Sequence, residues 1–252
     1  MTNLKKNKWL IPFRGRNMSS ASNVNFLWNE DNIYIMDNHL LAAWCWAQEL
    51  KKNHNFGIIH IDAHYDLNRL HDKNGKELKP FKEISLQEYL GLEEKSYSTF
   101  YKAIQWDNYF TLFLDQFSCD VNKLVIAAHK TDLKNINESN RMIDEEWPVE
   151  KLLKYLDTEF SEEDNDVIIP QKWIINLDID YFFCEIGDRK GIQLLSNEYI
   201  TEFACILKNA LQRNRIIGLT IALSPECCGG WKNAESICSI ITDKIGLNFK
   251  LE

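Results

Sequence analysis

GIIHIDAHYD, residues 57–66, is the stretch from which the fold can be read. Gly57–Ile61 is short, rich in isoleucine and not alternating between polar and apolar residues. That pattern suits a strand buried on both faces of a parallel sheet. Three residues of metal-ligand type follow at once, at a spacing of two: Asp62, His64 and Asp66. In open parallel sheets, functional groups collect just beyond the carboxyl ends of strands. If the extended geometry persists past Ile61, residues i, i+2 and i+4 point the same way and all three side chains converge on one side.

The same rhythm extends in both directions. Ile33–Met36, Lys123–Ala128, Trp173–Leu177 and Ile216–Leu223 are further strand-like runs. Helical patterns lie between them, at His39–Lys51, Ser85–Leu90, Val149–Phe160, Ser196–Arg213 and Trp231–Lys244. Ser85 is placed as an N-cap, with Glu88 at the capping-box position. Strand and helix alternating in this way predict an α/β fold, a three-layer sandwich with a mostly parallel sheet and helices on both faces. No repeat or low-complexity segment interrupts the pattern, and the polar stretches Asn68–Lys82 and Ser161–Asp166 read as surface loops. The expectation is a single domain over residues 1–252. Its first thirty residues pack on the rest, because Trp9, Phe13, Phe26 and Trp28 are too apolar for a free tail.

Other strand ends carry chemistry too. Asp178 and Asp180 follow Trp173–Leu177, Asp37 and His39 follow Ile33–Met36, and Ser224-Pro225-Glu226 follows the last run. One aspartate at a strand end is usually a helix cap or turn former, which accounts for Asp37. It does not account for Asp62, His64, Asp66, Asp178 and Asp180 together. Several buried carboxylates without a cation cost several kcal/mol per uncompensated charge, and a metal removes that cost. Oxygen-rich donors favour Mn²⁺ or Mg²⁺, and imidazole shifts the balance toward Mn²⁺ or Fe²⁺.

Composition limits the function classes. With 252 residues, 45% of them hydrophobic, the chain buries a substantial core. No apolar run approaches the roughly 18 residues of a membrane span, and the N-terminus lacks a secretory apolar region, so the expected location is cytoplasmic. A net charge of −8 argues against nucleic acid as partner and favours a cationic substrate. Seven cysteines without a CxxC pair read as reduced thiols filling the core.

DAHYD (62–66) resembles the DAHxD signature of arginases and agmatinases, and DID (178–180) resembles their second DxD. His39 and Glu226 stand in the order that family uses. HIDAH, LDIDYFF and SPE look most like the peptide arginases, which convert arginine to ornithine in ribosomally made peptides. The resemblance implies two Mn²⁺ ions per chain. One would be held by His39, Asp62, Asp66 and Asp178, the other by Asp62, His64, Asp178 and Asp180. It also implies that Glu226 holds the guanidinium of an arginine-containing precursor peptide and that Asp66 carries a proton to the leaving amine. His129, ending its strand, and His71, in a polar loop, compete as proton shuttles. Trp44, Trp46, Trp106 and Trp231 read as core, with Trp231, just after Cys-Cys-Gly-Gly, also a candidate for the substrate mouth.

The chain also departs from the free-arginine enzymes. It lacks their glycine pair before the first histidine, their Ser/Asn-rich stretch after DAHxD, and an aspartate-proline pair after DxD. The first two departures fit a substrate whose backbone ends are already amidated. A ureohydrolase of free arginine or agmatine, and an amide deacetylase on the same fold, remain the alternatives.

Overall fold

The computed structural model describes residues 8–50, 55–68, 78–96, 99–118, 120–128, 149–161, 171–186 and 188–252. Its centre is a seven-stranded sheet formed by β1 (Lys8–Ile11), β2 (Leu27–Glu30), β3 (Ile33–Met36), β4 (Phe56–Ile61), β7 (Val121–Ala127), β8 (Trp173–Asp178) and β11 (Ile216–Ala222). The spatial order is β1-β2-β3-β11-β8-β4-β7. From β3 to β7 all neighbours are parallel; β1 and β2 add an antiparallel edge. The strands fall within a residue or two of the apolar runs, and every residue of β3, β4, β8 and β11 is buried.

The helices lie in two layers. On one face α1 (Ala42–Glu49) and α3 (Tyr109–Phe117) pack through Trp46, Phe110 and Phe113 onto Ile58, Ile126 and Ile174. On the other face α4 (Val149–Ser161), α5 (Asn197–Gln212) and α6 (Trp231–Ile245) pack through Leu156, Phe203 and Ile237 onto Ile59, Ile175 and Ile221. Successive strand residues thus serve opposite layers, as the period of two requires. β4 and β8 approach closely at one point only glycine allows: a Cβ on Gly57 would stand 2.3 Å from the Trp173 ring.

The short helix α2 (Leu86–Gly91) carries the expected capping box between Ser85 and Glu88. α3, the edge strands β1 and β2, and the hairpins β5 (Glu93–Ser96) with β6 (Thr99–Lys102) and β9 (Phe183–Ile186) with β10 (Arg189–Gln193) have no counterpart in the sequence reading. The physical reason for α3 is composition: YFTLFLDQF is apolar around most of its circumference and rich in residues of modest helix propensity, so packing rather than pattern makes it a helix. Before α3, Asn108 spends its side chain on Gln105 N and the Ala103 carbonyl. Residues 8–28 lie against the sheet edge, where Phe26 stacks on Phe249 and meets Trp9 and Phe13 edge-on.

Consecutive parallel strands β3 and β4 are separated in the sheet by β11 and β8. The chain therefore winds in opposite senses on the two sides of this point, and a crevice opens above the strand ends there. Asp178 ends β8, and His39, Asp62 and Glu226 follow β3, β4 and β11, all at that crevice. No helix among the described residues is long and apolar enough to cross a membrane.

Candidate metal centre

The convergence of the DAHYD residues is real, but its geometry differs from simple extension. The chain leaves the β conformation at Asp62, and Asp66 has a left-handed φ of 51°. Asp62 Oδ1 instead accepts a hydrogen bond from the His64 N–H at 2.6 Å, closing a tight turn. Asp178 repeats the device, its Oδ1 accepting from Asp180 N at 2.9 Å at the head of a 3₁₀ turn, Ile179–Phe182. In both pairs the first carboxylate folds the backbone so that the second side chain comes round beside it. Asp180 Oδ1 in turn accepts from Ala63 N, locking the two turns together.

Asp37, read above as a cap, does something else, and Asn38 caps the 3₁₀ turn that begins at His39. The fully buried Asp37 accepts hydrogen bonds from Ser19 Oγ, Asn25 N, Asn25 Nδ2 and Phe26 N. It thereby clamps the N-terminal segment over the strand ends. Ser19 N donates to Glu226 Oε1 at 2.6 Å, so this segment also fixes the Glu226 side chain.

The result is two groups of atoms arranged like metal donors: His39, Asp62 and Asp66, and Asp62, His64 and Asp180, sharing Asp62. Asp178 stands beside them, its Oδ2 2.7 Å from His39 Nδ1 and bonded by the Ser224 hydroxyl. His39 Nδ1, Asp62 Oδ2 and Asp180 Oδ2 are buried without a hydrogen-bond partner in the structure, although charged atoms lie close by. Lone pairs that converge on a common point do not align with one another. Buried carboxylate oxygens and imidazole nitrogens gathered this closely are the donor types a cation requires, and these residues fit a pair of divalent ions. Among the described residues no lysine or arginine pairs with these carboxylates.

Without a cation, protons take its place. Burial opposes charge on His39, but Asp66, Asp178 and Asp62 overrule it and lift the ring to about 10. His64 is likewise raised to about 11: burial opposes this, and the adjacent carboxylates of Asp180 and Asp62 outweigh it. Burial, with Asp180 and Asp62 nearby, pushes Asp178 up to about 7. At pH 7 both rings are therefore protonated in the metal-free protein, and each must lose its proton to bind a cation. Metal loading at pH 7 is expected to release these protons and to tighten as pH rises toward 10. Calorimetry in buffers of different ionisation enthalpy measures this, and an affinity independent of pH would rule out both imidazoles as ligands.

A cavity of about 240 Å³ opens above the centre, lined by His39, His64, Asp66, Asp180, Glu226 and Trp106 among others. Trp106, read as core, is thus half-buried at the cavity. Trp231 stands elsewhere: it packs on Phe13, and its Nε1 donates to the Asn17 carbonyl. His129 and His71 lie outside the described residues. Sequence reasoning passed over His60, Tyr109 and Asn176, which lie directly behind the centre. Tyr109 Oη is 3.4 Å from Asp66 Oδ2, and its ring stacks on His39 at 5.0 Å. The available signal was a polar residue inside each of two otherwise apolar runs, GIIHI and WIINL.

No protein-family model matches the sequence, and comparison with curated proteins returns no match. Solved structures do match. Arginase from Bacillus caldovelox is 14% identical, with a TM-score of 0.51 over 87% of this chain and 69% of that one. Helicobacter pylori arginase, 14% identical, gives 0.46 over 83% and 72%. Proclavaminate amidino hydrolase from Streptomyces clavuligerus, 11% identical, gives 0.46 over 84% of this chain but only 61% of its own length. At such identities the likeness concerns architecture, and the Bacillus caldovelox comparison carries it: the chain has the three-layer α/β fold of an arginase.

Proposed function

We propose that this protein is a metal-dependent amidinohydrolase that acts on arginine residues within a peptide, adding water to the guanidinium carbon, leaving ornithine and releasing urea. The observation that carries the reading is the pair of donor groups sharing Asp62 on the floor of a cavity that Glu226 also lines. We assign one ion to His39, Asp62, Asp66 and Asp178 and the other to Asp62, His64, Asp178 and Asp180, with Mn²⁺ best suited to this mixture of carboxylate and imidazole. When bound, two such ions activate water as a nucleophile near neutral pH.

The chain's own residues do the rest. Glu226, held through Oε1 by the Ser19 N–H, offers its negative charge to a guanidinium in a two-point hydrogen bond. Asp66, its side chain 7% exposed at the cavity floor, is placed to hand a proton to the departing amine. His129 is the proposed proton shuttle, on the strength of its position after β7. Trp106 replaces Trp231 as the aromatic residue at the mouth.

Support for a peptide rather than free arginine comes from charge. None of the described residues lining the cavity is lysine or arginine, so among them a free α-carboxylate meets only neutral donors such as Asn38, Asn68 and Ser224 and no opposite charge. Agmatine, which has no carboxylate, is the second reading favoured by the same observation. The test is urea release by Mn²⁺-loaded protein from an arginyl peptide, free arginine and agmatine, with acetate release from an acetyl-lysine peptide as control. The arginyl peptide is expected to lead by at least about tenfold in kcat/KM, a difference of about 1.4 kcal/mol. A lead for agmatine transfers the assignment to a free amine, and acetate release moves it to a deacetylase.

A further inference from the structure

Beneath the carboxylates, three adjacent strands carry a buried polar side chain at one level. His60 on β4 pairs in register with Asn176 on β8, and Asn176 with Thr220 on β11. Polar groups in the middle of a parallel sheet are costly unless fully bonded, and these are. Trp46 Nε1 donates to Thr220 Oγ1 at 3.0 Å, and Thr220 Oγ1 donates to Asn176 Oδ1 at 2.7 Å. Asn176 Nδ2 then reaches two acceptors, His60 Nδ1 and Tyr109 Oη, each at 2.8 Å.

Beyond Asn176 the path divides. Tyr109 Oη points its own hydrogen to Asp66 Oδ2 at 3.4 Å, and the ring stacks on His39 with 17° between planes. With Nδ1 accepting, His60 carries its hydrogen on Nε2, which lies 3.2 Å from the His64 carbonyl oxygen. An indole that only donates begins the network and a carboxylate that only accepts ends one branch. Between them each hydrogen has a close acceptor, the Thr220 hydroxyl reaching the Ile175 carbonyl only at 3.4 Å against 2.7 Å to Asn176 Oδ1.

We propose that His60, Tyr109, Asn176 and Thr220 form a two-armed positioning device for the metal centre. The Tyr109 arm sets the His39–Asp62–Asp66 group, the His60 arm sets the turn that carries His64, and Asn176 joins the arms. The inference rests on reading these two groups as metal sites. It goes beyond that reading by giving each ion its own support. Partners one layer behind a ligand hold its orientation, and their removal costs about ten- to a hundredfold in metal affinity.

Mn²⁺ titration against a competing chelating indicator, read as two separate affinities, tests the device without any assay of turnover. Tyr109→Phe keeps the ring and its stack but deletes the hydroxyl. One ion is expected to weaken about ten- to a hundredfold while the other is unchanged. His60→Gln is expected to weaken the opposite ion, and Thr220→Val both, with Thr220→Ser restoring both. Pairing each variant with His64→Ala identifies which ion is which: Tyr109→Phe should weaken the ion that remains. Melting curves in chelator report folding separately, and the Tyr109→Phe arm stands alone if another variant does not fold. Equal weakening of both ions by Tyr109→Phe and His60→Gln, or unchanged affinities in both, overturns the device while leaving the metal sites intact. Wild-type protein that takes up no divalent ion overturns both.

Discussion

Asp62→Asn is expected to strip the protein of both divalent ions and to lower hydrolysis by at least about a thousandfold, equivalent to about 4 kcal/mol of transition-state stabilisation. Asp62 is the one residue common to the two donor groups, and it is fully buried. Its Oδ1 is committed to the His64 N–H, whereas Oδ2 has no hydrogen-bond partner. An asparagine would keep its oxygen on the His64 amide and turn its NH₂ toward the convergence point. A donor would then face the place where a cation needs an acceptor. Elemental analysis should find the metal content reduced by more than one ion per chain, with the circular dichroism spectrum retained. A variant that keeps both ions would remove Asp62 from the bridging position.

Glu226→Gln separates substrate recognition from metal binding. Glu226 lines the same cavity but belongs to neither donor group, and its Oε1 is tied to Ser19 N at 2.6 Å. Glutamine preserves that tether and the side chain's size, but it removes the charge and sets an NH₂ donor where the second carboxylate oxygen accepted. The expected result is two ions, an unchanged fold, and kcat/KM on arginyl peptides lower by roughly thirty- to a thousandfold, about 2–4 kcal/mol. A peptide with lysine in place of arginine should release nothing, since it has no guanidinium carbon. Near-full activity in Glu226→Gln would end the guanidinium assignment while leaving the metal centre standing.

The centre was legible in the sequence because its parts are local. Each strand is a short apolar run, and its ligands follow within five residues, so no long-range information is needed to place Asp62, His64, Asp66, Asp178 and Asp180 at one sheet end. What stayed hidden depends on register. His60, Asn176 and Thr220 are lone polar residues in three separate runs, and only the pairing of β4, β8 and β11 reveals a continuous row. Asp37 was illegible for a similar reason. Its partners, Ser19, Asn25 and Phe26, reach it through an irregular segment with no periodic pattern. The turns at Asp62 and Asp178 are a subtler case: convergence follows from the spacing, but a carboxylate bonding the backbone two residues ahead competes with extension and wins.

The position of β11 has a consequence for how the molecule comes into being. Among the described residues, the strand that comes last in the chain lies between β3 and β8, near the middle of the sheet. Before residues 216–222 arrive, the pairings available are two separate ribbons, β1-β2-β3 and β8-β4-β7. His39 belongs to the first ribbon and the carboxylates of both donor groups to the second. The two ribbons are joined by residues 37–55, which include α1, but no strand pairing holds them side by side until β11 lies between β3 and β8. Insertion of β11, sealed by Ser224 N on the Asp37 carbonyl at 2.7 Å, completes the sheet and the ion-binding centre in one event. The two halves of the proposed centre, His39 on one side and the carboxylates on the other, are thus held in one place by the strand that comes last in the sheet's chain order.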